Sequence, residues 1–337
     1  MKERLIPMRT NRKSAAHVPL AVAAATALAA SLAACGSGPE AAGAGDGGSE
    51  YPLTVVNCGE ETVIESEPES VLTIGHSAVA LLDAAGASDR ITARTGEFDA
   101  PLPEDLENPP TEVEVIDPAD PSAETIIGAG ADIVVGYGLF EAAPESLESA
   151  GIPNLVITGE CNNDEAVVGS VGFDTVFADI ERFGEVFGTQ EAAAASTERL
   201  TSELSEMEDS APGAGRTAAA VYYWSSTATM SAYGGLSIAH DILDRAEFDD
   251  VYGDEQSAFV EANFETLIDA DPEVIFLAYG VYGEDFETAK AQLLAEPGAA
   301  DLQAVKNDLV IGVSAGDLNP DPGAIRGLRA VVEGAAQ

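Results

Sequence analysis

The chain of 337 residues carries 59 Asp and Glu against 15 Lys and Arg, a formal net charge of −44 at pH 7. Such an excess of carboxylates repels a polyphosphate backbone, which proteins bind through Lys and Arg, and it excludes a nucleic-acid partner. The length exceeds what one core of typical domain size holds and therefore favours two lobes.

Residues 1–34 have the pattern of a lipoprotein signal peptide. Five basic residues among the first 13 precede an apolar stretch from Val18 to Ala34, which ends in Leu32-Ala33-Ala34-Cys35. The stretch is shorter than the roughly 20 apolar residues of a spanning helix and stops at small residues. We expect lipid on Cys35 and a protein held at the outer face of the cell membrane. A permanent anchor helix with an incidental cysteine is the alternative.

Residues 35–50 are predicted to form a flexible linker after the lipidated cysteine, because they are almost entirely Gly, Ala, Ser, Pro and acidic residues. The leader holds five basic residues and Glu3, so 10 basic residues remain against 58 acidic ones. A solvated acidic surface, for solubility or for salty surroundings, accounts for this charge.

Two cysteines remain beyond Cys35. Cys58 and Cys161 form an even pair in an oxidising compartment, and we predict a disulfide between them. Two thiols without nearby histidines do not fill a tetrahedral zinc shell, so no metal site is predicted there.

Residues 51–170 are predicted to form an N-terminal α/β lobe. Val71 to Ile74 is a short β-rich run closed by Gly75, and a helical pattern follows from Ala78 to Ala85. Short apolar strands at 133–135 and 155–157 each follow a helical pattern that ends near Gly or Pro. This alternation predicts a mostly parallel sheet.

Residues 171–212 are predicted to form one long connecting helix, with Gly188 as the candidate point of interruption. Apolar residues recur near helical spacing from Phe173 to about Asp209 without a proline. Pro212 and Gly213 then break the chain. Residues 213–337 are predicted to form a C-terminal α/β lobe with strands at 219–224, 274–277 and 309–313 and a last helix at 323–333.

The two lobes share a sequence repeat. Glu124-Thr125-Ile126-Ile127, followed by a strand at 132–135, matches Glu265-Thr266-Leu267-Ile268, followed by a strand at 273–276, at a constant offset of 141 positions. Helix, breaker and strand fall in the same frame in both copies, which indicates related lobes.

From Tyr51 to Glu333 the chain resembles the substrate-binding lipoproteins of ABC importers for iron chelates and corrinoids, the helical-backbone class of periplasmic binding proteins. The segments that carry the resemblance are Val71-Leu72-Thr73-Ile74, Ala80-Leu81-Leu82-Asp83-Ala84-Ala85-Gly86-Ala87, Asp89-Arg90-Ile91, Leu147-Glu148-Ser149-Ala150-Gly151-Ile152-Pro153, Asp179-Ile180-Glu181-Arg182-Phe183-Gly184 and Ala270-Asp271-Pro272-Glu273-Val274-Ile275. The resemblance implies two α/β lobes with mostly parallel central sheets, joined by a single long α-helix.

The resemblance also implies partners. It implies a monomer that holds a small-molecule ligand between its lobes and delivers it to an ABC permease with its ATPase. In similar proteins, a glutamate at the place of Glu124 and Glu265 docks with permease arginines. The alternative is that each glutamate only stabilises the first turn of its helix.

Ligands of open α/β lobes bind beyond the carboxyl ends of the strands, so the residues after each strand are the candidate ligand contacts. Those positions are rich in aromatic and polar side chains. The candidates are His76, Ser77, Arg94, Tyr137, Trp224, Tyr233, Tyr279, Tyr282 and Asn319. Tyr222 and Tyr223 are neighbours on a strand, so one of them must point into the lobe core.

Aromatic faces with a few polar groups suit a bulky chelate whose metal is already wrapped in an organic ligand. We therefore expect no resident cofactor and no metal site of the protein's own. Arg94 is the one basic residue placed in the cleft, so a neutral or cationic ferric hydroxamate fits better than an anionic catecholate. Cobalamin, haem or another organic cofactor precursor are alternatives, with His76 either an axial ligand or a hydrogen-bonding residue.

A secreted α/β hydrolase is the rival class. The sequence contains no phosphate-binding loop and no H-E-x-x-H motif, and no second histidine stands near His76 to act as a base. We therefore predict a binding protein and not an enzyme. A purely structural lipoprotein would leave the aromatic residues at the strand ends unexplained.

Overall fold

The computed structural model describes residues 49–164, 169–208, 212–223, 230–281 and 283–336. The predicted signal peptide, Cys35, most of the linker, Trp224 and Tyr282 lie outside the described residues. Among the described helices, none is both long and apolar enough to cross a membrane.

The described strands fall into a hairpin and two larger sheets. They are β1 (Leu53–Asn57), β2 (Glu60–Ile64), β3 (Val71–Ile74), β4 (Ile91–Thr95), β5 (Val115–Asp117), β6 (Ile133–Gly136), β7 (Asn154–Val156), β8 (Thr217–Tyr223), β9 (Met230–Tyr233), β10 (Asp249–Asp250), β11 (Phe259–Val260), β12 (Val274–Tyr279) and β13 (Val310–Ser314). Strands β1 and β2 form the hairpin.

Helices cover the faces of the two larger sheets. They are α1 (His76–Ala84), α2 (Ala123–Ala129), α3 (Pro144–Ala150), α4 (Phe173–Val186), α5 (Gln190–Glu208), α6 (Ile238–Arg245), α7 (Phe264–Ala270), α8 (Phe286–Ala295), α9 (Gln303–Lys306) and α10 (Ala324–Ala335).

Each lobe is built on one sheet, as predicted. The N-terminal sheet has the order β5-β4-β3-β6-β7 and is parallel throughout. Its central strand β3 is buried along its whole length, as expected for a strand covered by helices on both faces. The C-terminal sheet has the order β11-β9-β8-β12-β13, with β8, β12 and β13 parallel, β9 and β11 antiparallel at one edge, and β10 paired with β8.

The sequence repeat is also a structural repeat. Helix α2 begins after Ser122, whose side chain accepts a hydrogen bond from the backbone of Thr125, and α7 begins after Asn263, which caps its helix in the same way. Both helices end at a left-handed residue, Gly130 in one lobe and Asp271 in the other. Caps, helices and the strands that follow are all related by the 141-residue offset.

The connection between the lobes is two helices, which corrects the prediction of a single long helix over 171–212. Helix α4 ends at Val186 and α5 starts at Gln190, so the interruption falls at the predicted Gly188. Gly188 has a φ of +67°, and the backbone of Thr189 donates to the carbonyl of Gly184 at 2.8 Å. This is a Schellman stop, which a glycine after the last helical turn favours.

The predicted disulfide between Cys58 and Cys161 is present in the structure. It ties the turn of the β1–β2 hairpin to a 3₁₀ segment at residues 158–164, which follows β7. The buried carboxylate of Asp179 holds the start of the same segment, because it accepts hydrogen bonds from the backbone and hydroxyl of Thr158 at 2.7 and 2.6 Å. Arg182 pairs with Asp179 at 2.8 Å and completes this network.

Each of the ten Lys and Arg residues beyond the leader has an acidic or carbonyl partner. The pairs are Arg90 with Glu67, Arg94 with Glu97, Arg182 with Asp179, Arg199 with Glu203, Arg216 with the carbonyl of Pro212, Arg245 with Asp241, Lys290 with Asp308, Lys306 with the carbonyl of Asp301, Arg326 with Asp317 and Arg329 with Glu203.

Candidate functional site

The carboxyl ends of the parallel strands in the two sheets face each other, and we call the space between them the interlobe cleft. Ser77, just after β3, donates a hydrogen bond from Oγ to Oδ2 of Asp321, beyond β13, at 2.6 Å. Gly159, just after β7, lies so close to Pro320 that a Cβ on the glycine would sit 2.3 Å from the proline ring. The lobes therefore touch at one side of the cleft.

The Ser77–Asp321 bond is a buried contact between lobes. Ser77 is 6% exposed and Asp321 4%, and Oδ1 of Asp321 accepts a second hydrogen bond, from the backbone of Gly323, at 2.7 Å. Burial raises the pKa of Asp321 to about 6, against the lowering effect of these hydrogen bonds. Ser77 is a predicted ligand contact, and its hydroxyl donates to Asp321 of the opposite lobe.

His76, Glu97 and Arg94 form a polar cluster at the carboxyl ends of β3 and β4. His76 opens α1 directly after β3, and its Nε2 lies 3.4 Å from Oε2 of Glu97, which follows β4. Arg94 lies 3.3 Å from the other oxygen of Glu97 and donates twice to the carbonyl of Val113, at 3.2 and 3.1 Å. The guanidinium of Arg94, predicted as the basic ligand contact, is thus already engaged.

Tyr137 is the central aromatic side chain of the N-terminal wall. It follows β6 and packs so tightly over Gly75 and Gly96 that a Cβ on either glycine would lie within 2.7 Å of the ring or hydroxyl. Its hydroxyl donates to Oδ1 of Asp120 at 2.5 Å. Burial, and after it the bond to Asp120, raises the pKa of Tyr137, so the phenol stays neutral. Phe140 extends this aromatic wall at a ring separation of 5.7 Å.

The C-terminal wall carries a second aromatic group. The rings of Tyr222, Tyr233 and Phe259 lie within 6.0 Å of one another, and Phe259 is the exposed member. Tyr233, a predicted ligand contact, is only 5% exposed. Burial raises the pKa of Tyr233, and the charge of Glu160 acts in the same direction on Tyr233 and on Tyr137. Glu160 follows Gly159, which lies against Pro320 of the other lobe.

The other candidates occupy the expected ends of strands. Tyr279 ends β12, is half-buried and contacts the ring of Phe286 at 5.9 Å. Asn319 is half-buried in the segment that reaches the other lobe. Glu124 and Glu265 are exposed in the first turns of α2 and α7.

Both members of the consecutive tyrosine pair are buried, so the expectation that one of them enters the core holds for Tyr223 as well as Tyr222. Their rings lie on opposite faces of β8, in different apolar clusters.

Four acidic residues of the cleft were missed by the sequence reasoning. Glu97, Asp120, Glu160 and Asp321 each follow a strand or lie in the loop beyond it. Position alone could have suggested Glu97, which comes two residues after the last residue of β4. The other three depend on how loops fold back toward the strand ends, which no periodic pattern encodes.

The cleft therefore combines aromatic faces with carboxylates. Within the described residues, no three His, Cys, Asp or Glu side chains converge in a way that could hold a metal ion. A cavity of about 270 Å³ lies beside Glu97, and another of about 290 Å³ lies between α1, α5 and α10, away from the strand ends. This arrangement suits a bulky organic ligand with polar groups.

Two α/β lobes that face each other across their strand ends are the architecture of the similar solute-binding structures described below. The family model of periplasmic binding proteins matches residues 71–315, and the chain belongs to that family. Members of the family bind small molecules and work with ABC permeases outside the cytoplasm, and the family is not one of enzymes. The hydrolase alternative receives no support. A comparison with curated proteins finds no match.

Solved structures of this fold are similar over most of the chain. A protein described as an ABC-type Fe3+-hydroxamate transport system from Saccharomonospora viridis is 27% identical, with 86% of this chain and all of that chain covered and a TM-score of 0.73. A periplasmic heme binding protein from Pseudomonas aeruginosa is 17% identical (79% and 91% covered, TM-score 0.63). A periplasmic vitamin B12 binding protein of Vibrio cholerae is 16% identical (80% and 97% covered, TM-score 0.58).

Proposed function

We propose that the protein is an extracytoplasmic, lipid-anchored receptor that captures a ferric chelate, of hydroxamate type, in the interlobe cleft and delivers it to an ABC permease. The anchor is lipid on Cys35, and the receptor works as a monomer. The observation that carries the proposal is the composition of the cleft. Its walls offer Tyr137, Phe140 and Phe259 beside carboxylates, and its arginine is already paired.

Charge favours hydroxamates over catecholates. A ferric catecholate carries several negative charges and would meet Glu97, Asp120 and Glu160 with Arg94 committed to Glu97 and Val113. Like charges held a few ångströms apart in a poorly solvated cleft repel by several kcal/mol, on the order of the electrostatic energies at an effective dielectric constant of 20. Ferric hydroxamates are neutral or cationic. The similarity to the hydroxamate transport protein of Saccharomonospora viridis supports the same choice.

Haem and cobalamin are the competing cargoes. Either would use His76 as an axial ligand, and this requires a ring nitrogen free to face the metal. Nε2 of His76 instead faces Glu97 at 3.4 Å, so ligation through that atom needs the ring to turn away from the carboxylate. This position of the ring disfavours axial ligation through Nε2.

The test is a titration of the purified protein followed by fluorescence of Trp224, the single tryptophan of the chain. The ligands are a ferric hydroxamate, a ferric catecholate, ferric citrate, cobalamin and haemin. We expect saturable quenching by the hydroxamate at submicromolar concentration and none by the catecholate, with calorimetry as the second readout. Tight binding of the catecholate without hydroxamate binding would contradict the proposal.

We further propose that Glu124 and Glu265 dock with the permease. Both are exposed at equivalent places of the two lobes, which lets a partner contact each lobe through the same helix position. Changing both to Gln should abolish uptake by whole cells and leave chelate affinity unchanged. A loss of affinity, or normal uptake, would contradict the docking role, and the exposed Glu145→Gln on α3 is the control.

A further inference from the structure

Glu97 is a buried carboxylate at the edge of the cleft. It is 6% exposed, although it lies in the loop that follows β4. One oxygen, Oε2, faces Nη1 of Arg94 and Nε2 of His76, each at 3.4 Å. A carboxylate is rarely buried so completely unless its charge is paired, and here Arg94 supplies the pairing.

Two buried polar atoms of this cluster have no hydrogen-bond partner. Oε1 of Glu97 lies 3.3 Å from Arg94 but has no hydrogen-bond partner, and Nε2 of His76 also has none. Buried polar atoms are nearly always hydrogen-bonded, and an unsatisfied one costs roughly 1–3 kcal/mol. An unused acceptor beside an unused imidazole nitrogen at the strand ends indicates that a bound molecule supplies the missing partner.

The loop that presents Glu97 is held in an unusual backbone conformation. Gly96, Phe98 and Asp99 have φ values of +66°, +47° and +61°. Positive φ is an outlier for a bulky residue such as phenylalanine, and such strain is found preferentially at ligand clamps. The result is that Glu97 points inward while Phe98 is 45% exposed, so one loop offers both a carboxylate and an aromatic face.

A cavity adjoins the carboxylate. Its volume is about 270 Å³, and its lining includes Arg94, Glu97 and Asp99 together with the apolar sides of Pro101 and Leu102. This is several times the roughly 30 Å³ that one water occupies in the liquid, so a short alkyl arm with a polar end fits. The two carboxylates outnumber the guanidinium, so the cavity favours a positively charged end.

We propose that Glu97 determines specificity by accepting a hydrogen bond at Oε1 from a cationic arm of the cargo, which is therefore a ferric hydroxamate that carries an alkylammonium group. The inference rests on the proposed function and names the substrate class of the same cleft. Pro101 and Leu102 contact the methylene groups of the arm.

The test compares two chelates that differ only in this charge. The probes are the ferric complex of desferrioxamine B, a linear trihydroxamate that ends in an alkylammonium group, and its N-acetylated neutral form. Calorimetry on the full chain should show about tenfold tighter binding of the cationic form, as expected for a hydrogen bond to a charged group. Glu97→Gln, which keeps the shape of the side chain, should remove this preference, measured as the ratio of the two dissociation constants.

The matched control is Asp89→Asn. Asp89 precedes the opposite, amino end of β4, and its side chain is 83% exposed, so the change removes one negative charge without touching the cleft. The control should keep the tenfold preference, and a preference lost in both variants would assign it to the overall charge and overturn the proposal. If Glu97→Gln does not fold, Glu97→Asp keeps the pairing with Arg94 and withdraws the carboxylate, which should reduce the preference.

Failure of the inference and failure of the function give different results. If both chelates bind the wild-type protein equally and Glu97→Gln or Glu97→Asp changes neither, the specificity role of Glu97 is refuted while the hydroxamate receptor stands. If neither chelate binds the wild-type protein, the proposed function fails and the role of Glu97 falls with it.

Discussion

Removal of the Cys58–Cys161 disulfide should destabilise the N-terminal lobe strongly. The two cysteines are 103 positions apart, so the bond closes a loop that spans most of the lobe. The partners are the turn of the β1–β2 hairpin and the 3₁₀ segment that carries Glu160. Replacing both cysteines by serine removes the cross-link without adding bulk.

The magnitude follows from the length of the loop. In the chain-entropy model, a closed loop of about 100 residues destabilises the unfolded state by roughly 4.7 kcal/mol at 25 °C, and measured losses run from about 2 to 5 kcal/mol. Cys161 is 3% exposed, so a serine hydroxyl at this position adds a cost of burial. We expect a loss of about 3–5 kcal/mol in the free energy of unfolding.

Guanidinium chloride unfolding of the oxidised wild-type protein and the double serine variant measures the difference, with reduced wild-type protein as the control for the substitutions themselves. The reduced protein should lose nearly as much stability as the variant. A loss below about 1 kcal/mol in both would refute the reasoning, because it would mean that the unfolded chain gains little freedom when the bond opens. Two free thiols in the untreated protein would refute the bond itself.

Three further outcomes are expected. Ser77→Ala leaves Asp321 without its interlobe donor and should lower the free energy of unfolding by roughly 1–3 kcal/mol, whereas the exposed Ser149→Ala should change it little. Because the pKa of Asp321 is raised to about 6, its contribution to stability is complete below a pH of about 4 and is lost as the pH rises through 6. Asp321→Asn should therefore reduce the dependence of the free energy of unfolding on pH, measured by urea unfolding at a series of pH values. Asp179→Ala leaves the buried charge of Arg182 without its carboxylate partner and should lower the free energy of unfolding by about 3–5 kcal/mol in the same assay. Equal urea midpoints for variant and wild type would contradict this.

The elements of the fold could be predicted because local patterns specify them. The run Val71 to Ile74 is a strand with its predicted bounds, and the 141-residue repeat corresponds to paired caps as well as paired helices. Gly188 was the predicted point of interruption, but the pattern of apolar residues continued across it. The stop depends on one left-handed residue, and helical periodicity on either side does not reveal it.

The candidate site was harder to predict because side-chain direction depends on contacts that are distant in sequence. Arg94 was placed in the cleft by its position after Ile91, yet its guanidinium is held by the carbonyl of Val113 on the next segment. Ser77 reaches Asp321 across 244 positions of sequence. Tyr233 is buried by its ring neighbours on β8 and β11. The sequence predicts which residues follow a strand, but the packing of the lobes determines which groups their side chains contact.

All ten Lys and Arg residues beyond the leader are paired, and this determines how dissolved salt affects the folded chain. Those pairs are formed at short range, while the 58 acidic residues beyond the leader outnumber the cations and repel one another over the Debye length, roughly 10 Å at 0.1 M salt. Dissolved cations therefore relieve more repulsion than they weaken attraction. The folded chain behaves as an anionic polyelectrolyte, and the counterions around it are part of what keeps it compact.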